Sequence, residues 1–318
     1  MKNSTKIAIG IGSALGVGLA VGTLFNGLNN LVSRRDDPIF RRMAGRNPIE
    51  ESFSDSQRER LHEAREWLLS QDLEEVTITS HDGLKLKGHL LTCENAKRTE
   101  LLMHGWREPW QADMGMMTRY QHNHNCNVLI IEQRGHGESE GEYIGFGVLE
   151  RYDCKAWCEY ICQRFGEDLP LYLGGVSMGA STALMAAALD LPKNVKGIIA
   201  DSGFTSPRAI VADVLSKKAH LPENLVGVLD LFNRVKAGYS YSEYSTLEAL
   251  EQNTLPILFV HGDEDKFVPL AMTLENYLAC KAPRDLLIVE GAEHGAGYLV
   301  DPEAYEAALQ RLFARCEG

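Results

Sequence analysis

A serine between two glycines lies where a predicted strand passes into a predicted helix. Residues 175–179 read Gly-Val-Ser-Met-Gly, follow the apolar run at 171–173 and precede an alanine-rich, helix-forming stretch at 180–188. A strand can pass into a helix over so few residues only through a sharp turn, whose neighbours must be nearly free of side chains. The pattern therefore predicts a strand, a tight turn and a helix, with the Ser177 hydroxyl exposed at the tip.

A serine hydroxyl is a poor nucleophile near neutral pH, so a catalytic serine needs a histidine base and a carboxylate that orients it. The chain supplies both after predicted strands: Asp265 follows the apolar run at 255–260, and His294 follows the run at 285–289. The order serine, acid, histidine is that of the α/β-hydrolases and differs from the chymotrypsin and subtilisin orders.

Three further segments carry the same resemblance. Residues 80–88 resemble the opening hairpin of these proteins, 101–106 the strand that leads to the oxyanion loop, and 133–141 the loop after the next strand. From about Glu75 to its end, the chain resembles an α/β-hydrolase of the small bacterial serine aminopeptidase-like branch. The resemblance implies an α/β fold with a mostly parallel eight-stranded sheet flanked by helices, and a small helical cap at 204–253.

The resemblance also assigns roles to residues. Ser177 is the expected nucleophile, His294 the general base and acid, and Asp265 the carboxylate that fixes the imidazole tautomer, because the acid of the family stands three residues before a Val-Pro pair. Backbone N–H groups of Met178 and Trp106 are expected to bind the oxyanion. The sequence predicts ordinary solvated or turn-capping roles for the neighbouring carboxylates, Asp263 and Glu264.

Two positions depart from the family pattern. Glu132 ends a predicted strand where relatives commonly have aspartate, and no further glycine follows His104-Gly105 through residue 110. We interpret Glu132 as a structural brace for the arginine loop that follows it. The second departure leaves the oxyanion donor at Trp106 less well defined by the sequence than the one at Met178.

The predicted reaction is hydrolysis of a carboxylic ester or amide through an acyl-enzyme, with a small-molecule acyl substrate and with neither a metal nor an organic cofactor. Two alternatives remain open: an acyltransferase or lyase that uses the same triad, and a non-catalytic, membrane-tethered binding module. A net charge of −12 without a basic patch argues against nucleic acid as a partner. Cys154, Cys158 and Cys162, one helical turn apart, are interpreted as reduced packing residues, and no metal site is predicted at His122 and His124.

The N-terminal segment has no charged residue between Ile7 and Val32. We predict a single-pass membrane anchor at 1–33, with a cleaved signal peptide of a secreted protein and a surface-lying helix as alternatives. Arginines after the segment outnumber the lysines before it, which favours a catalytic domain on the cytoplasmic side of the cell membrane. A charged helical connector is predicted at 34–71, and the hydrolase domain at 72–318.

Overall fold

The computed structural model describes residues 22–35, 53–217 and 219–318. Its strands are β1 (Glu74–Thr79), β2 (Lys85–Leu91), β3 (Arg98–Met103), β4 (Cys126–Ile131), β5 (Leu171–Val176), β6 (Val195–Asp201), β7 (Ile257–Gly262) and β8 (Arg284–Val289). Its helices are α1 (described over 22–33), α2 (Asp55–Leu69), α3 (Trp110–Asn123), α4 (Glu150–Phe165), α5 (Met178–Ala186), α6 (Pro207–Lys217), α7 (Val226–Ala237), α8 (Thr246–Gln252), α9 (Leu270–Ala279), α10 (Gly297–Val300) and α11 (Pro302–Glu317).

The strands form one eight-stranded sheet in the order β1-β2-β4-β3-β5-β6-β7-β8. β2 is antiparallel to both of its neighbours, and all other pairs are parallel. The α/β-hydrolase fold predicted from the sequence is confirmed. Because parallel strands end at one edge of a sheet, the loops after β3, β5, β6, β7 and β8 gather there.

Helices cover both faces of the sheet, so the residues of its central strands are mostly buried. Every residue of β4 and β7 is buried. On one face, Cys154 and Cys158 of α4 lie in the core beside Trp157. All seven cysteines belong to the described residues and none is paired. Cys154 and Cys158 are buried, as the packing interpretation predicts, whereas Cys162 is only partly buried.

Helix α2 begins with a capping box at Ser54, whose hydroxyl accepts the N–H of Gln57. Its apolar stripe is partly buried at Ala64 and Leu68. The α2 backbone approaches α3 so closely that a Cβ on Gly115 would lie 2.8 Å from the carbonyl oxygen of Ala64. The described part of the predicted connector therefore packs on the side of the domain.

Helix α1 packs on the hydrolase domain, although residues 22–33 were counted in the predicted anchor. Phe25 stacks on Phe232 of α7, with ring centroids 6.4 Å apart. Asn29 and Ser33 are fully buried, and both contact the hydroxyl of Tyr241, at 3.1 and 2.5 Å.

Residues 22–35, 53–217 and 219–318 include no helix long and apolar enough to cross a membrane. The remainder of the predicted anchor, residues 1–21, lies outside the described residues.

The predicted cap segment, 204–253, contains α6, a short 3-10 turn at Glu223–Leu225, α7 and α8. Helix α6 begins as its Ser-Pro pair predicts, since the Ser206 hydroxyl accepts the N–H of Ala209 at 3.0 Å. Buried residues of α6 and α7 form an apolar cluster with Phe146 and Met178 near the tip of the elbow. The cap thereby lies over the carboxyl-terminal edge of the sheet.

One carboxylate lies inside the fold without a described hydrogen-bond partner. Glu100, on the central strand β3, is 1% exposed, and neither of its carboxylate oxygens is within hydrogen-bonding geometry of a described group. Burial raises the pKa of Glu100 to about 8, against the opposing charge of Arg98. The folded protein consequently favours the protonated carboxyl at neutral pH.

This raised pKa predicts a loss of stability on the alkaline side. Between pH 5 and 9 an unfolded Glu100 is ionised while the folded group retains its proton up to about pH 8, so the free energy of unfolding should fall with rising pH. At about 1.4 kcal/mol per pKa unit, the loss is about 4 kcal/mol. Glu100→Gln should remove it, as measured by urea denaturation at both pH values. The exposed Glu94→Gln should leave the loss intact, and an equal loss in Glu100→Gln would contradict the assignment.

Candidate active site

The turn at Ser177 has the geometry that the sequence predicts. Ser177 joins β5 to α5 with φ 56° and ψ −113°, a conformation that non-glycine residues rarely adopt. A Cβ on Gly175 would lie 2.3 Å from the backbone of Gly179, and one on Gly179 would lie 2.0 Å from the carbonyl oxygen of Met103. Both glycines are required because neighbouring backbone segments lie too close to these positions to leave room for a side chain.

Asp265 and His294 meet above the ends of β7 and β8. The Nδ1 atom of His294 lies 2.7 Å from Oδ2 of Asp265, whose side chain is fully buried. The other carboxylate oxygen accepts the backbone N–H groups of Phe267 and Val268 at 2.8 and 2.9 Å. Asp263 instead accepts the N–H of Gly291 at an exposed turn. The geometry favours Asp265 over Asp263 as the carboxylate that orients His294.

A second histidine, His261, also binds this carboxylate, and the sequence analysis gave it no role. It is fully buried near the end of β7, with Nε2 3.2 Å from Oδ2 of Asp265 and 3.0 Å from the carbonyl oxygen of Val268. Burial opposes ionisation of Asp265, but hydrogen bonds from His261 and His294 prevail and hold its pKa well below the usual value. The only signal in the sequence was a histidine at the end of an otherwise apolar strand.

The loop of His294 and the turn of Ser177 both pack on the end of β6. Ser177 donates its N–H to the carbonyl oxygen of Asp201 at 2.8 Å, and Gly295 donates its N–H to the Ser202 hydroxyl at 3.3 Å. Phe267 contacts the His294 ring, with centroids 5.1 Å apart, and lines the same cleft as Ser177. The structure records no hydrogen bond between the Ser177 hydroxyl and the His294 ring, and such catalytic contacts often tighten only when substrate binds.

The two expected oxyanion donors lie on different elements. Met178 is the first residue of α5, where a backbone N–H has no partner within its own helix. Trp106 lies on the loop after β3, where Arg107 has φ 58° and donates its N–H to Nε2 of His136 at 3.0 Å. Burial and the neighbouring His104 lower the pKa of His136 well below its usual value, so the ring stays neutral and can accept this bond.

His104 anchors the start of the same loop. Burial lowers the pKa of His104 to about 4, so its ring is neutral at physiological pH. Its Nε2 atom accepts the N–H of Gln133 at 3.1 Å, while its carbonyl oxygen accepts the Gln133 side-chain amide at 2.6 Å. The loop is thus fixed at both ends by neutral histidines.

An apolar cleft opens beside Ser177. Its empty volume is about 540 Å³, which includes solvent space at its open side. Besides Ser177, it is lined by apolar side chains from α1, the oxyanion loop, the β4–α4 loop, the cap and the β7–α9 loop: Val32, Trp106, Phe146, Phe204, Ile210, Val211, Val214, Leu215 and Phe267. Such a surface suits an apolar group of a substrate.

Glu132, which departs from the family pattern, braces the arginine loop as expected. Its carboxylate lies 2.7 Å from Nε2 of His89 and also accepts the N–H of Glu138. These contacts brace the loop from Glu132 to Glu138. Arg134 in that loop binds Asp153 at 2.6 Å and Asp82 at 2.9 Å. The only described cluster with metal-like spacing, His81 with these two aspartates, is therefore organised around a guanidinium.

Comparison with known proteins agrees with the fold. The sequence model of the serine aminopeptidase S33 family matches residues 94–253, half of the 318 residues. The chain belongs to this α/β-hydrolase family. Its relatives within the α/β-hydrolases include YqkD, an uncharacterized protein of Bacillus subtilis, 24% identical over 96% of each chain. The human alpha/beta hydrolase domain-containing protein 17B is 26% identical over 71% of this chain and 70% of its own.

Solved structures of α/β-hydrolases resemble the chain closely in fold. An esterase of Pyrococcus furiosus is 25% identical, with a TM-score of 0.64 over 79% of this chain and 95% of its own. An acylaminoacyl peptidase of Pyrococcus horikoshii is 17% identical, with a TM-score of 0.56 over 79% of this chain and 43% of its own. Together with the family match, the esterase supports a hydrolase in general, and the peptidase shows the shared fold.

The two neighbouring aspartates provide a matched test of the site. Asp265→Asn should lower kcat for an activated ester by about 10⁴-fold, because an amide cannot hold the imidazole in the productive tautomer. Asp263→Asn should leave kcat within a few-fold of the parent, since Asp263 only caps an exposed turn. Steady-state kinetics measures kcat of both variants, and circular dichroism verifies that they are folded. Equal losses in kcat would contradict the assignment.

Proposed function

We propose that the protein is a serine hydrolase that cleaves carboxylic esters through Ser177, His294 and Asp265. The observation that carries this proposal is the 2.7 Å contact between His294 and the buried Asp265, next to a serine held at φ 56° in an apolar cleft. The membership in a hydrolase family supports the same reaction class.

In the proposed mechanism, His294 removes the hydroxyl proton as Ser177 attacks the ester carbonyl. The Asp265 carboxylate keeps Nδ1 of His294 protonated, so that Nε2 is free to accept the proton. N–H groups of Met178 and Trp106 stabilise the oxyanion, and His294 then protonates the leaving alcohol. Water attacks the acyl-enzyme in the same way, which releases the acid and regenerates Ser177.

The proposed substrates are esters of short or medium acyl chains, in preference to amides. The nine apolar side chains around Ser177 suit an alkyl group, and no described charged residue lines the cleft to bind the amino terminus of a peptide. The Pyrococcus furiosus esterase, which shares the fold, is consistent with ester cleavage.

We also propose that the apolar segment preceding α1 attaches the enzyme to the membrane, with the catalytic domain on the cytoplasmic side. This proposal rests on the absence of charge from Ile7 to Val32 and on the arginines that follow. The packing of α1 on the cap would then hold the domain close to the bilayer.

The nucleophile can be tested by covalent labelling. A fluorophosphonate should modify the wild-type protein at Ser177 and abolish ester hydrolysis, because it forms a stable adduct with an activated serine. Ser177→Ala should lose both labelling and hydrolysis, by at least 10³-fold in kcat. Ser216→Ala, on α6 beside the cleft residue Leu215, is the matched control and should retain both. Unchanged hydrolysis in Ser177→Ala would disprove the proposed mechanism.

The chain-length preference can be tested with p-nitrophenyl esters. We expect kcat/KM to be highest for butanoate or hexanoate, low for dodecanoate, and lower still for aminoacyl anilides. Val214→Trp should shift the preference towards acetate, because Val214 lines the cleft. Val228→Trp, on α7 and outside the cleft lining, should not shift it. A maximum at dodecanoate, or with the anilides, would contradict the proposal.

A further inference from the structure

We propose that Arg107 is a positioning residue that clamps the oxyanion loop to the carboxyl-terminal end of α1. The N-terminal segment would thereby form part of the catalytic site, in addition to any role as a tether. This inference rests on the proposed function and adds to the triad and the elbow a further element that the reaction needs.

The guanidinium of Arg107 lies among the last carbonyl groups of α1 and the residues just after it. Its two terminal nitrogens donate to the carbonyl oxygens of Asn30, Leu31, Arg34 and Arg35, at 3.4, 3.1, 2.5 and 3.1 Å. The last carbonyls of a helix have no partners within it and carry the negative end of the helix dipole. Asn30 already accepts the backbone N–H of Arg34 at 2.9 Å, and the planar guanidinium supplies further donors to this carbonyl and to the following ones, which binds the loop to the helix.

The neighbouring residue makes a second contact with the same helix. The indole N–H of Trp106 donates to the carbonyl oxygen of Val32 at 3.0 Å. The guanidinium of Arg107 lies over the Trp106 ring, 5.1 Å from its centroid. Both side chains of the dipeptide that would carry the second oxyanion donor are therefore bound to α1.

The backbone of Arg107 explains why the loop needs this support. Its φ of 58° is in the left-handed region, which costs a non-glycine residue of order 1 kcal/mol or more. The sequence has no glycine at this point, so contacts must impose the conformation. The side-chain clamp and the N–H bond to His136, at 3.0 Å, fix Arg107 and the peptide plane that joins it to Trp106. They thereby restrain the Cα atom of Trp106, which is bonded to the nitrogen of the expected oxyanion donor.

Helix α1 is itself held firmly enough to act as the fixed end of the clamp. The carbonyl oxygen of Ser33 accepts the N–H of Ile144 at 2.7 Å, and Arg35 donates its N–H to the carbonyl oxygen of Glu142 at 2.8 Å. The Ser33 hydroxyl contacts Tyr241 of the cap segment at 2.5 Å. Loosening the clamp should therefore disturb the oxyanion loop and leave the triad in place.

The test uses full-length Arg107→Gln and Arg107→Lys, with Arg208→Gln as the matched control, since Arg208 makes only an exposed side-chain contact to Ser242. The measured quantities are kcat and KM for p-nitrophenyl butanoate and the inhibition constant of a trifluoromethyl ketone, whose adduct with the serine carries an oxyanion.

We expect both Arg107 variants to lose at least tenfold in kcat with little change in KM, and to bind the ketone more weakly by the same factor as the loss in kcat/KM. Lysine should not restore activity, because one ammonium group cannot replace two planar donor nitrogens that reach four carbonyl oxygens. Arg208→Gln should match the wild type.

Hydrogen exchange measured by mass spectrometry tests the clamp separately from catalysis. In Arg107→Gln, peptides that cover residues 22–35 and 104–107 should exchange faster, while peptides around Asp265 and His294 should be unchanged. Unchanged exchange, or unchanged kcat and ketone affinity, would overturn the proposal, as would a kcat loss explained by a lower folded fraction. A wild-type protein without Ser177-dependent hydrolysis would refute the proposed function, and the exchange data would still decide whether the clamp exists.

Discussion

The buried carboxylate of Asp265 organises the candidate site, because every group around it is arranged to keep it charged. A carboxylate removed from water is costly unless hydrogen bonds replace its hydration. Here two backbone N–H groups, from Phe267 and Val268, and two imidazoles, from His261 and His294, surround its oxygens. The outcome is a negative charge fixed 2.7 Å from Nδ1 of His294. This arrangement orients His294 before any substrate arrives.

The sheet brings residues that are distant in the sequence together at the candidate site. Ser177 and His294 are separated by more than a hundred residues in sequence, yet their loops pack on the end of one strand, β6. Parallel strands bring this about because all of their carboxyl ends point to one edge. The strain at Ser177 is tolerated because Gly175 and Gly179 let the elbow close against its neighbours.

The N-terminal segment shows how one sequence pattern can serve two purposes. Apolar, uncharged residues before Arg34 predict membrane attachment, and the same residues from Phe25 to Val32 cover the cap and line the cleft. Asn29 and Ser33, which are polar residues within this apolar run, are buried against Tyr241. Their burial with partners indicates that α1 is built to contact protein.

The sequence by itself determined the fold class, the strand–turn–helix at Ser177 and the order of serine, acid and histidine along the chain. The turn and the strands depend on local sterics and strand periodicity, which short stretches of residues carry on their own, while the fold class follows from the resemblance of these motifs to the α/β-hydrolases. The family resemblance also favoured Asp265 over Asp263, because the family's acid stands three residues before a Val-Pro pair, and the contact with His294 agrees with that choice. Whether the full set acts in catalysis stays a prediction.

Only the tertiary structure decided which distant groups meet. His261 became a partner of Asp265 because β7 carries it to the same edge, and Glu100 became a protonated buried acid because helices cover its strand. The contact between Arg107 and the end of α1 joins residues more than seventy positions apart. Such contacts depend on how whole elements pack, and the pattern of any one segment does not contain that information.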